Sequence, residues 1–208
     1  MIMHYHDGKL GEAEDLIKKF HYSKRMPSNI QACITLHESG GLFGDYGPAV
    51  AACIFSIPPT RWSEDVWELS RLVRNNECDV PLTSLISKAR GFLKGKIDLL
   101  VSFADYTQKH HGGIYQAASW NYSGKRERRM DGILKDGIFI PGRSCNSLWG
   151  TRSPEKLRER FDDIEPHYDE GKFIYWVAQN KAGQQKAKRL GLECLPYPKP
   201  LASKPAVC

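Results

Sequence analysis

The stretch VWELSRLVRNNECDVPLTSLISKARGFLKGKIDLLVSFAD, residues 66–105, decides how the chain folds. Val66–Val73 alternates as a strand does, with Trp67, Leu69, Arg71 and Val73 on one face and Glu68 and Ser70 on the other. Leu82, Leu85, Ile86, Ala89, Phe92 and Leu93 recur at helical spacing, so Thr83–Lys94 reads as a helix that Thr83 or Ser84 can cap and Gly95 ends. Asp98–Ala104 is apolar enough for a central strand.

Upstream, Ala13, Leu16, Ile17 and Phe20 define a short amphipathic helix, followed by a polar loop over His21–Asn29. Gln31–Leu36 and Pro48–Ile57 read as strands, with turn residues at Ser39-Gly40-Gly41 and Gly44-Asp45-Tyr46-Gly47 between them. Downstream, Gly112–Trp120 reads as a helix, Asp136-Gly137 between apolar pairs as a hairpin, and Ser153-Pro154-Glu155 as a helix start. Lys172–Ala178 is a last strand, Lys181–Leu190 a basic helix, and the tail from Pro196 to Cys208 is proline-rich. The expected fold is mixed α/β (α+β), a mostly antiparallel central sheet turning parallel near its middle and flanked by helices. Residues 1–178 would form that domain, and residues 179–208 a basic helix and tail.

A chain of 208 residues, 41% hydrophobic and 26% charged, suffices for one domain with a real core. No run approaches the roughly 20 apolar residues that cross a bilayer, and the opening residues do not read as a secretory leader. Six scattered cysteines without a C-x-x-C pair fit a reduced, cytoplasmic setting with no membrane partner. The net charge of +6 is clustered in Lys125-Arg126-Glu127-Arg128-Arg129, with Arg143 and Arg152 following, and in Lys181–Arg189. Such clusters are either solvated surface or contacts that neutralise phosphates; the candidates are Arg126, Arg128, Arg129, Lys186, Lys188 and Arg189.

The element order resembles that of the GNAT N-acetyltransferase superfamily, in which a central strand leads to a helix that cradles the donor's pyrophosphate and the next strand splays away. Four strings are more specific: His21-Tyr22-Ser23, Glu68-Leu69-Ser70-Arg71-Leu72-Val73, Ser102-Phe103-Ala104-Asp105, and His110 through Trp120 (HHGGIYQAASW). Together they resemble the Mom family, phage proteins that modify adenine N6 in DNA and so protect it from restriction. The resemblance implies transfer of a carbamoylmethyl (glycinamide-like) group to adenine in double-stranded DNA. It implies acetyl-coenzyme A or another activated glycine-like donor, and an association with iron.

Carried over by position, the family's important residues fall on His21, Tyr22, Arg71, Ser84, Asp105 and Tyr115. His21 would act as base or metal ligand; Tyr22 would stack on an extruded base or pass a proton. Asp105 would accept from the adenine amine, or join His21 and Tyr22 around a cation; its structural alternative is a cap on the following turn. Tyr115 would protonate a leaving thiolate or else pack under the sheet. Arg71, a charge out of pattern on its strand face, would reach a phosphate, a carboxylate or the donor, and Thr83 and Ser84 would meet the donor's anionic part. The chain departs from the acetyltransferase pattern between Val73 and Thr83, where no R/Q-x-x-G-x-G/A loop occurs. Two other readings stay open: an ordinary N-acetyltransferase acting on a small amine or protein, and a DNA-binding protein without activity.

Overall fold

Every residue of the strand Ala49–Ser56 is buried, so the sheet is covered on both faces there. The computed structural model describes residues 2–5, 10–38, 46–58, 62 and 65–199, with residues 2–5 and 143 as backbone alone. Its elements run β1 (Ile2–Tyr5), α1 (Leu10–Phe20), β2 (Ile30–His37), β3 (Ala49–Ser56), β4 (Val66–Arg74), α2 (Leu82–Leu93), β5 (Leu99–Asp105) and α3 (Gly113–Ala117). They continue β6 (Asn121–Arg126), β7 (Met130–Lys135), β8 (Ile138–Pro141), α4 (Gly142–Trp149), α5 (Pro154–Arg158), β9 (Ile164–Tyr168), β10 (Lys172–Ala178) and α6 (Lys181–Arg189). Seven strands form one sheet in the order β1-β2-β3-β4-β5-β10-β6, and three form another in the order β8-β7-β9. β1 to β4 pair antiparallel, and β4 with β5 parallel, the expected change of direction in mid-sheet.

The described residues fall into two compact units. The first takes in the chain up to Phe103, then Gly112–Gly124 and Ile174–Pro200. In it α1 lays Ala13, Leu16 and Ile17 against Cys33, Ala52, Ile54 and Val73. α6 adds Ala187 to a cluster of Val66, Leu99, Val101 and Trp176. α6 can approach this closely because residue 183 is glycine: a Cβ there would stand 2.0 Å from the Asp98 carbonyl oxygen. Asn180 caps the helix by accepting from Gly183 N–H at 2.9 Å, while its amide donates to the Asp98 carboxylate at 2.7 Å. Beyond α6 the chain stays attached, with Leu195 N–H donating to Tyr122 O and the Tyr197 hydroxyl to Trp120 O.

The second unit takes in Ala104–His111 and Lys125–Phe173. Its three-stranded sheet turns at Asp136 (φ 52°) and Gly137 (φ 73°), the left-handed pair of a two-residue hairpin loop. Ile133, Cys145, Leu157 and Ile164 form its own core. Ser153 caps α5, with Pro154 at its first position. Asp169, 3% exposed, pairs with the Arg126 guanidinium and accepts from the N–H groups of Arg129 and Gly171 at 3.0 Å each.

Several expectations are corrected. α2 is preceded by Pro81 and has no side-chain cap, Thr83 and Ser84 lying inside its first turn. The helix expected over Gly112–Trp120 ends at Ala117, and Ser119 adopts φ 59°. β1, β6, β9 and α4 were not legible in the sequence. The turn expected at Ser39–Asp45 and the tail from Pro200 onward lie outside the described residues. The five described cysteines are free thiols, and no helix among the described residues is long and apolar enough to cross a membrane.

Two stability predictions follow from these contacts. Burial raises the Asp169 proton affinity, but the Arg126 guanidinium and the Arg129 and Gly171 N–H groups outweigh it, holding the carboxyl below its ordinary 3.8. A depressed folded value means the contribution is complete above 3.8 and is lost as pH falls through the lower folded value. Asp169→Asn should cost about 3 kcal/mol at neutral pH and flatten the loss of stability in acid, read by urea denaturation at several pH values; an unchanged midpoint refutes this. Gly112 has φ 84°, and a Cβ there would lie 2.1 Å from Tyr175 Cε2. Gly112→Ala should therefore cost about 3 kcal/mol, from left-handed strain and overpacking together, in the same assay.

Candidate active site

Parallel pairing between β4 and β5 runs through Val66↔Leu99, Trp67↔Leu100 and Glu68↔Val101 and then stops, although both strands continue. At the base of this fork, the fully buried Ser102 hydroxyl donates to the Leu69 carbonyl at 2.8 Å. The same oxygen lies 2.8 Å from the Tyr115 hydroxyl. A carbonyl only accepts, so Ser102 spends its one proton there and Tyr115 donates its own to Ser102 Oγ. Opposite, β4 carries a bulge: Leu69 and Arg71 face consecutive residues Phe55 and Ile54, which leaves Ser70 as the extra residue. The alternation expected over Val66–Val73 is interrupted there, and Ser70 Oγ sits 2.5 Å from Ser56 Oγ.

Tyr115 reaches the fork from α3. Gly112, in the left-handed region, starts that helix and leaves room for the Tyr175 ring. Burial pushes the Tyr115 hydroxyl far above its ordinary 10.0, and Tyr22 and Glu68 add to the rise electrostatically. Tyr115 is therefore protonated at any physiological pH, a proton donor and not a base. Burial likewise raises Tyr175, whose hydroxyl accepts from Gln116, to about 12.

The other candidates sort by position. His21 and Tyr22 follow α1, their rings stacked at 4.4 Å, with Tyr22 48% exposed. His21 Nδ1 accepts from Ser23 N–H at 3.1 Å, so the neutral ring carries its proton on Nε2. Arg71 donates from Nε to Arg25 O at 2.9 Å and from Nη1 to Ser70 O at 2.7 Å, tying the 21–25 loop to the bulge. Tyr22, Arg71 and Tyr115 thus share the first unit with Glu68 and Ser102. Asp105 belongs to the second unit, where it accepts from Thr107 N–H at 3.0 Å as a cap and lies 3.5 Å from Lys172 Nζ. Arg126 is engaged by Asp169, and Lys186 lies 3.5 Å from both Asp65 and Asp98. Arg128, Arg129, Lys188 and Arg189 are exposed. Sequence reasoning quoted Glu68 and Ser102 without assigning them a part; the signal was a lone hydroxyl in the otherwise apolar run Leu99–Phe103.

An acyl-coenzyme A donor fits this frame in part. The fork offers the Tyr115 proton, and the uncapped start of α2 at Leu82 and Thr83 leaves first-turn N–H groups for an anion. The preceding loop is held otherwise, Arg74 donating to the carbonyls of Cys78 and Val80. Among the described residues no three His, Cys, Asp or Glu side chains gather to hold a metal. His21 Nδ1 and the Asp105 carboxylate, two of the expected ligands, already have partners.

A solved structure shares the fold. The ribosomal-protein-S18-alanine N-acetyltransferase of Escherichia coli superposes with a TM-score of 0.50 at 10% identity, covering 88% of this chain and 96% of that one. A GNAT family acetyltransferase from Elizabethkingia anophelis with acetyl-CoA bound gives 0.49 at 9% identity over 85% and 97%. No curated protein sequence matches. The sequence model of the Mom protein family matches residues 9–199, nearly the whole described chain. The protein belongs to the Mom family, on an N-acetyltransferase type of fold.

Proposed function

We propose that the protein is a DNA-modifying transferase whose acceptor is the N6 amine of adenine and whose product is the carbamoylmethyl adduct of its family. The observation that carries the transferase reading is the Tyr115–Ser102–Leu69 chain at the β4–β5 fork, a proton held ready where two strands part. Membership of the Mom family is what favours adenine as the acceptor. The carbamoylmethyl product calls for an activated glycine-like donor, attacked at its methylene carbon as the leaving group departs from it. Acetyl-coenzyme A, whose thioester is attacked at the carbonyl with loss of thiolate, would leave an N6 amide instead.

Adenine N6 is paired to thymine inside a duplex, so the base must leave the stack to be reached. Tyr22, exposed beside His21, offers a ring to receive it. The amine must lose a proton as its new bond forms. Glu68, at the last paired position of β4 and within electrostatic reach of Tyr115, is the group to take it. Tyr115 delivers its proton to the departing atom, and its raised proton affinity keeps it loaded for this. Arg71 holds the 21–25 loop in place through Arg25.

Mass spectrometry of nucleosides from a host expressing the gene tests the reading. A modified deoxyadenosine supports it, and the added mass separates a carbamoylmethyl amine from the amide that simple acyl transfer would leave. Unmodified DNA with an acetylated small amine or protein would assign the fold's ordinary activity instead. Tyr115→Phe should lower modification about 100-fold or more while leaving the fold intact, because Ser102 keeps its bond to Leu69. A folded Tyr115→Phe protein with wild-type modification removes the proton-donor role.

A further inference from the structure

The second unit contains an open cleft of about 640 Å³ whose lining includes Arg129, Arg152, Asn146, Thr151, Ser153 and Tyr168. Arg129 and Arg152 are exposed, and Tyr168, at the end of β9, is 41% exposed. A third guanidinium, that of Arg128, lies 4.8 Å from the centre of the Tyr168 ring. The one acidic side chain in the lining, Glu155, is bound at 2.5 Å to the Ser153 hydroxyl. Positive charge therefore prevails in the cleft.

Asp169 accounts for this arrangement. It accepts from the backbone N–H of Arg129 and binds the side chain of Arg126. The connector from Arg126 to Arg129 is thereby fixed with one guanidinium turned into the unit, while the side chains of Arg128 and Arg129 stay exposed. The guanidiniums of Arg129 and Arg152 beside the Asn146 amide and the Thr151 hydroxyl, with an aromatic ring alongside, match a chain of phosphates carrying sugars and bases better than an isolated anion.

We propose that this cleft binds the phosphodiester backbone of DNA, with Arg129 and Arg152 on phosphates and Tyr168, backed by Arg128, against a sugar or base. The proposal rests on the DNA reading above and adds a binding surface distinct from the β4–β5 fork. Phosphate contacts give affinity that is independent of sequence and falls steeply with salt.

The test is a fluorescence anisotropy titration of the full-length protein with a labelled DNA duplex at several salt concentrations. The double variant Arg129→Ser, Arg152→Ser should bind about 10- to 100-fold more weakly, and its log affinity should depend on log salt with a slope smaller by about 2. Both side chains are exposed and the Arg129 N–H survives the change, so the fold is not at stake. Tyr168→Ala should weaken binding without changing the slope. Wild-type affinity and slope in the double variant would overturn the proposal. So would a loss confined to Lys188→Ser, Arg189→Ser on α6, or an acidic peptide that binds as tightly as DNA and loses affinity equally in the double variant. Nucleosides from cells expressing the unaltered protein judge the transferase reading separately. Modified deoxyadenosine with an unaffected double variant removes the cleft alone.

Discussion

A serine hydroxyl stands where a ladder hydrogen bond would otherwise be. Had the parallel pairing of β4 and β5 continued past Glu68 and Val101, the Leu69 carbonyl would have been answered by backbone. Parting two buried strands without a substitute leaves orphaned backbone groups, at about 1–3 kcal/mol each. Ser102 removes that penalty for Leu69 and has an oxygen left over, which orders Tyr115. The fork, the bulge at Ser70 and the packing of α3 through Gly112 and Tyr175 all serve this one arrangement. The proposed chemistry depends on the sheet coming apart at this place.

Much of this was visible in the residues. Alternation over Val66–Val73, the stripe over Leu82–Leu93 and the apolar run ending at Phe103 gave the three elements around the fork. Asp136-Gly137 and Ser153-Pro154 announced a hairpin and a cap through turn chemistry alone. What stayed hidden had weak local signals. β6 (NYSGKR) is polar and contains glycine, and is a strand because β10 offers it an edge. β9 contains Pro166, which a strand tolerates because β9 lies at the margin of its sheet. The bulge could not be read at all, since it is defined by the partner strand.

The candidate site was legible by residue type and less so by role. Tyr115 and Tyr22 came from the family strings, and the first unit holds both. Asp105 and the arginine block show the limit of reading charge along a chain. Asp105 has a cap and a lysine as partners. Arg126 looks like its neighbours in sequence, yet its counter-ion lies 43 positions away at Asp169. Which cation faces outward is set by a carboxylate that no local window contains.

The small sheet of β7, β8 and β9 closes over its own apolar cluster with its own turn and its own buried carboxylate. A segment that satisfies itself internally can drift in sequence, grow a loop or exchange surface charges while its neighbour's core stays as it was. Selection on the proposed DNA cleft can therefore proceed in one part of the gene while selection on the proposed transfer site proceeds in another. Related chains should diverge fastest in residues 125–168 and slowest around Ser102, a pattern set by where each unit keeps its core.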